Sequence, residues 1–394
     1  MVTPANRDEV VARMTELMTR LGRRRGVHHV VVGASSLSGA WTWKGAEGAA
    51  APDGPPMSPD TPFFVASVTK LHITAVVLRL VEEGLADLDE PAERFLPADL
   101  RAGLHVRDGV DHTGRLTIAH FLAHSSGLAD WLDERPPNGR SAVEEVLEEG
   151  DRSWSYADAV RRARDRLHPH FEPSDPSAGR ARIRYSDTNF QLLMVIAERV
   201  TGEPMSDLYH RFVVEPLGLA HTWLPGHTPP DPAPPPAVVW LGDQPFVDRP
   251  LALASFGDLY STVDDLLAFG RALFGGELFE EPATAASMTR RFHRFGLPRS
   301  AAAVRSPSWP IEYGLGLMRF RIGRLLAGGR RLPALLGHTG STGSWLWLVP
   351  ELGLVLAGTV DQATGAAVPF RDLPRALAGL APPHDVASSP LYAP

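Results

Sequence analysis

Between residues 6 and 25 the apolar positions Val10, Met14, Leu17, Met18 and Leu21 fall three or four apart, with Asn6 ahead of them and arginines behind. That spacing predicts an amphipathic helix capped at Asn6 and packed on a sheet, with Glu9 completing the cap. Two short runs, His28–Val32 and Ala40–Lys44, flank a Gly/Ser turn and predict an N-terminal hairpin. From Ser67 to Glu83 the apolar residues Leu71, Val76, Val77, Leu80 and Val81 cover a wide arc, which predicts a buried helix stopped by Gly84. Between about 86 and 290 the helical period dominates, at 117–124, 142–149, 156–167, 189–201, 205–213 and 262–273. The proline-dense stretch Pro225–Pro236 predicts an extended surface loop. Strand patterns return at Gly316–Ile322, Ser344–Val349 and Leu354–Val360, and a closing helix is predicted over Phe370–Leu380.

Strands at both ends with helices between them predict an α/β (α+β) chain in which one sheet is assembled from the two termini and a helical segment is inserted. The expected division is 1–85 plus 291–394 for the sheet part and 86–290 for the mostly helical part, with a groove where they meet. The Ala/Pro-rich tail after Leu380 is expected at the surface.

Composition narrows the function classes. The 394 residues are 44% hydrophobic and 22% charged, ordinary for a folded globular chain, with a net charge of −7. The only tight basic run is Arg23–Arg25, so nucleic acid is not an expected partner. With no cysteine, thiolate chemistry and disulfides are excluded. The charge-studded residues 1–25 contain no apolar secretion core, and the uncharged stretch Leu332–Pro350 is interrupted by glycines, prolines and hydroxyls. A cytoplasmic chain without a membrane span is expected. Of 39 basic residues only Lys44 and Lys70 are lysines, and lysine, unlike arginine, can give up its proton when buried.

Lys70 follows Ser67 by three residues at the start of the buried helix, so the two side chains share one face. If burial lowers the lysine toward neutrality, its amine can take the serine proton, and the serine N–H at the helix start can stabilise an oxyanion. Tyr185-Ser186-Asp187-Thr188-Asn189 opens a helical stretch and offers a phenol as a second proton carrier. Gly337-His338-Thr339-Gly340-Ser341 runs along a strand edge into a glycine turn, leaving N–H groups free. His120 and His124 have the i, i+4 spacing of a zinc pair but lack the glutamate and a third ligand, so no metal or other cofactor is expected. Trp345 and Trp347 share a strand face and are assigned to the core, whereas Trp131, Trp154, Trp223 and Trp240 are candidates for an acyl pocket.

The order Ser-x-x-Lys, Tyr-Ser-Asn/Asp, then (Lys/His)-(Thr/Ser)-Gly resembles the serine β-lactamase and penicillin-recognising superfamily. The flanks Phe63–Lys70, Leu122–Leu128, Pro216–Leu219, Tyr260–Leu266 and Tyr313–Gly316 resemble its class C branch, home also to D,D-peptidases, D-aminopeptidases, esterases and acyltransferases. The resemblance implies an antiparallel sheet and an acyl-enzyme at Ser67, with Lys70 and Tyr185 sharing acid–base work. It also implies an oxyanion hole from the N–H groups of Ser67 and Ser341, with His338 on the leaving-group side beside Thr339 and Gly340. Two departures matter. Asp187 replaces the usual asparagine, which favours a charged Lys70, shifts the base role toward Tyr185, or receives a substrate cation. His338 replaces a permanent cation for a substrate carboxylate, which argues against strong β-lactam hydrolysis. The expected function is a serine hydrolase acting on a small ester or amide. The main alternative is transfer of the acyl group to an alcohol or amine, followed by D-amino-acid peptidase or weak β-lactamase activity, and last by a catalytically silent sensor.

Overall fold

The computed structural model describes all residues except 1–3, 248, 297–310, 324–328, 330–331, 382–388, 390 and 392–394. Along the strand Trp345–Val349, Trp345, Trp347 and Val349 point to one side and Leu346 and Leu348 to the other, and all five are buried. Alternation without a polar face requires a sheet covered on both sides. The first cover is the helix α1 (Pro4–Gly22), whose Val10, Met14, Leu17 and Leu21 join the two tryptophans in one cluster with α5 (Val368–Ala376). The second is α4 (Val263–Gly275), whose Leu266 and Leu267 join Leu346, Leu348 and Val355. A Trp345→Ala protein is expected to lose about 3–5 kcal/mol of stability, read as a lower denaturant midpoint with an unchanged slope.

Among the described residues eight strands form one antiparallel sheet. They are β1 (His29–Ser36), β2 (Thr42–Gly48), β3 (His293–Arg294), β4 (Ile311–Tyr313), β5 (Met318–Phe320), β6 (Leu335–Thr339), β7 (Trp345–Val349) and β8 (Leu354–Thr359). The spatial order is β2-β1-β8-β7-β6-β5-β4-β3, with Val31 opposite Thr359 and Trp345 opposite Gly358. The two ends of the chain therefore meet at the β1–β8 pair, as the strand pattern predicted.

The intervening residues supply the predicted helices, including Ala142–Glu149, Tyr156–Arg166 and α3 (Asp187–Thr201). Ser141 and Ser155 close capping boxes at the first two. Three details differ from the expectation. Helix α1 begins at Pro4, so Asn6 lies inside it. The buried helix α2 spans Thr69–Glu82, and Ser67 sits in a separate 3-10 turn, Ala66–Val68. Helix α4, within the segment assigned to the helical part, lies on the sheet. Most of the tail after Leu380 falls outside the described residues. No helix among the described residues is long and apolar enough to cross a membrane.

Candidate active site

The 3-10 turn that carries Ser67 is held in a costly shape. Ala66 has φ 47°, a left-handed conformation that costs a non-glycine residue roughly 1–2 kcal/mol. Its neighbour fixes it: Val65 N–H donates to Leu259 O at 2.9 Å, and Val65 O accepts from Ser344 Oγ at 2.7 Å. Ser344 closes the turn after β6, where Gly340 N–H donates to Ser344 O at 2.9 Å. A Cβ at Gly340 would stand 2.7 Å from Val65 O, so glycine lets the end of β6 lie directly against the serine turn. Ser341 is exposed there, and its N–H finds no acceptor among the described residues.

Lys70 projects from the first turn of α2 to 3.0 Å from Ser67 Oγ, and Tyr185 Oη lies 2.9 Å from the same oxygen. The tyrosine comes from a distant segment, and the loop 124–131 places it. His124 Nδ1 accepts from Ser186 N–H and Asn189 Nδ2 at 3.2 and 3.0 Å, Ser126 Oγ donates to Asn189 Oδ1 at 2.6 Å, and Ser186 and Thr188 hydroxyls donate to Ala129 O. Gly127 has φ 80° and packs against the Phe171 carbonyl with no room for a side chain. Asp187, at the N-terminus of α3, forms a close ion pair with Lys70.

That pair works against a neutral amine. Burial pushes Lys70 down, but the charge of Asp187, the charge of Asp258 and the hydrogen bond that Lys70 donates to Asp187 outweigh it and hold the lysine above its ordinary value. Nor is a phenolate formed instead. Burial, with Asp187's charge, raises Tyr185 well above its ordinary value, so the phenol stays protonated. Ser67 Oγ thus accepts hydrogen bonds from an ammonium and a phenol, and the nearest proton acceptor for the cluster is Asp187.

His338 does not stand on the leaving-group side as the resemblance implies. It is fully buried on β6, its Nδ1–H donates to Thr339 O at 2.8 Å, and its Nε2 accepts from Tyr313 Oη at 2.9 Å. Burial and the charge of Lys70 lower it to about 3, so it is a neutral prop for Tyr313 and does not line the cleft. Thr339, Gly340 and Ser341 do line it, with Ser67, Lys70, Tyr185 and Asp187, around a volume of about 510 Å³. Of the four candidate tryptophans only Trp131 reaches the wall. Trp154 packs behind it against Phe256, Trp223 lies against Tyr260, and Trp240 stacks on His28 at 3.6 Å. Asp133 and Asp258 also line the cleft, and nothing in their sequence surroundings marks them. Tyr313 stands in the Tyr-Gly-Leu-Gly segment, whose motif signal was legible although its partner was not.

His120 Nδ1 accepts from Thr117 N–H in a capping box, and among the described residues no group of three metal-ligating side chains is assembled.

A serine, lysine and tyrosine converging at the edge of an antiparallel sheet define a nucleophile flanked by two proton carriers. The family model described as Beta-lactamase matches residues 11–381, and the chain belongs to that family. It is similar to Esterase EstB from Burkholderia gladioli, 35% identical over 170 residues, which are 42% of this chain and 39% of that protein. It is also similar to Monacolin J acid methylbutanoyltransferase from Aspergillus terreus, 43% identical over 84 residues, 19% of this chain and 20% of that one. The matches thus span less than half of these relatives. The D-amino acid amidase from Ochrobactrum anthropi SV3 in complex with L-phenylalanine superposes with a TM-score of 0.70 at 23% identity, over 95% of this chain and 98% of that one. Such a likeness establishes the fold. The family to which the chain belongs thus includes an esterase and an acyltransferase among the proteins it resembles.

Proposed function

We propose that this protein hydrolyses a small ester or amide through an acyl-enzyme on Ser67. The observation that carries the reading is the approach of Lys70 Nζ and Tyr185 Oη to within 3.0 Å of Ser67 Oγ at the wall of an open cleft. Substrate binding excludes water, and in a drier site the Lys70–Asp187 ion pair loses its advantage over the neutral amine and acid. Once Lys70 has passed a proton to Asp187, its amine takes the Ser67 proton as Oγ bonds to the carbonyl carbon. The N–H groups of Ser67 and Ser341 receive the charge on the carbonyl oxygen. Tyr185 gives its proton to the leaving group as the carbon–heteroatom bond breaks, and regains one from Lys70. Water then repeats the sequence on the acyl-enzyme in the opposite direction.

A second reading replaces that water by an alcohol or amine, and the similarity to a methylbutanoyltransferase supports it. The ratio of hydrolysis to transfer in the presence of added acceptors separates the two.

Exposure to a fluorophosphonate and to activated esters, followed by intact-mass analysis and peptide mapping, is expected to give one adduct, on Ser67. A folded Ser67→Ala protein is expected to give none. An adduct that persists in that variant would place the nucleophile elsewhere.

A further inference from the structure

We infer that the cleft is built for an ester or amide that carries a primary ammonium group, seated between Asp133, Asp187 and Gln191. The inference rests on the serine hydrolase reading and names its substrate class.

The charged groups that line the cleft, among the described residues, are Lys70, Asp133, Asp187 and Asp258. Lys70 is already paired with Asp187, and neither Asp133 nor Asp258 forms an ion pair among the described residues. Both are held toward the neutral acid against the pull of Lys70. Burial, with the charge of Asp187, raises Asp133 to about 6 although its side chain still reaches solvent. Burial raises Asp258 to about 7, with Lys70 opposing and Asp187 adding to the shift. His338, standing where the sequence resemblance offers a cation, is neutral and turned away toward Tyr313. A substrate carboxylate would meet like charge here, whereas an ammonium would relieve it.

An independent feature points to a hydrogen-bond donor. Gln191 lies one turn after Asp187 on α3 and lines the same cleft. It is 96% buried, and its Nε2 donates to Phe256 O at 3.1 Å, which fixes the amide orientation. Its Oε1 has no partner. A buried acceptor without a donor is costly unless something fills it. An ammonium has three N–H groups, and Asp133, Asp187 and Gln191 offer it three acceptors. The rings of Trp131 and Phe190 in the same wall suit the cation and the apolar chain that carries it.

The test compares kcat/KM for matched methyl esters: those of both phenylalanine enantiomers against methyl 3-phenylpropanoate, and that of 6-aminohexanoate against methyl heptanoate and monomethyl pimelate. At least one ammonium ester is expected to exceed its neutral match by roughly ten- to a hundredfold, the range of a charge-assisted hydrogen bond. The anionic ester is expected to be the poorest. Asp133→Asn is expected to shrink the ratio of cationic to neutral rates, and the wild-type ratio is expected to fall as ionic strength rises. Neutral esters turned over as well as cationic ones would overturn the inference and leave the hydrolase reading standing. No turnover of any ester, together with no fluorophosphonate adduct on Ser67, would overturn both.

Discussion

A folded Lys70→Arg protein is expected to lose about 10²–10⁴ in its rate of acylation by an activated ester, the usual contribution of a positioned acid–base group. The side chain is buried, touches Ser67 Oγ and pairs with Asp187, so arginine keeps the charge that this pair stabilises. It cannot give up a proton at any accessible pH, so Ser67 would have no amine to receive its own. Extra volume in a filled pocket adds a stability cost of roughly 1–3 kcal/mol, so circular dichroism should accompany the kinetics. Burst kinetics at the wild-type rate from a folded variant would remove Lys70 from the mechanism. Only two lysines stand among the basic residues, and the other, Lys44, pairs with Asp264 and Asp60 on the strand β2. Composition reduced the candidates to two, and position chose between them.

Asp187→Asn is expected to move the acidic limb of kcat/KM for a neutral ester downward by about one to two pH units, the size of effect an adjacent opposite charge exerts. The direction follows from the forces on Lys70. Burial lowers its pKa while the Asp187 charge and hydrogen bond raise it, so deleting the carboxylate leaves burial opposed chiefly by Asp258. Without the carboxylate the Lys70 proton goes to solvent in place of Asp187, the amine needed as base becomes free at lower pH, and the rate rises earlier. If the limb stays where it is, Asp187 does not govern the base. A limb that disappears together with all activity would instead make the carboxylate an obligatory proton acceptor.

Much of the fold was legible because burial writes a period into the chain. Leu346 and Leu348 alternate with Trp345 and Trp347, and a strand must carry such a pattern if both sides are covered. Boundaries were less legible: Ser67 was expected in the first turn of the helix and instead occupies its own 3-10 turn, because the left-handed Ala66 is imposed by Leu259 and Ser344 from elsewhere in the chain. The same holds for the tryptophans. Loop position made all four look available, yet three spend their rings on Phe256, Tyr260 and His28.

Sequence alone determined the strand-bearing segments near both termini and the nearness of Ser67 to Lys70, because alternation within a strand and a separation of three residues are local properties of the chain. It also determined the three reactive segments and their order. Only the tertiary structure decided the charge state of the site. Asp187 opposes the burial of Lys70, His338 turns to Tyr313, and Asp133 and Asp258 arrive at the cleft from unmarked loops. Electrostatic energies depend on distance through space and on the exclusion of water, and neither quantity is encoded in the separation of residues along the chain.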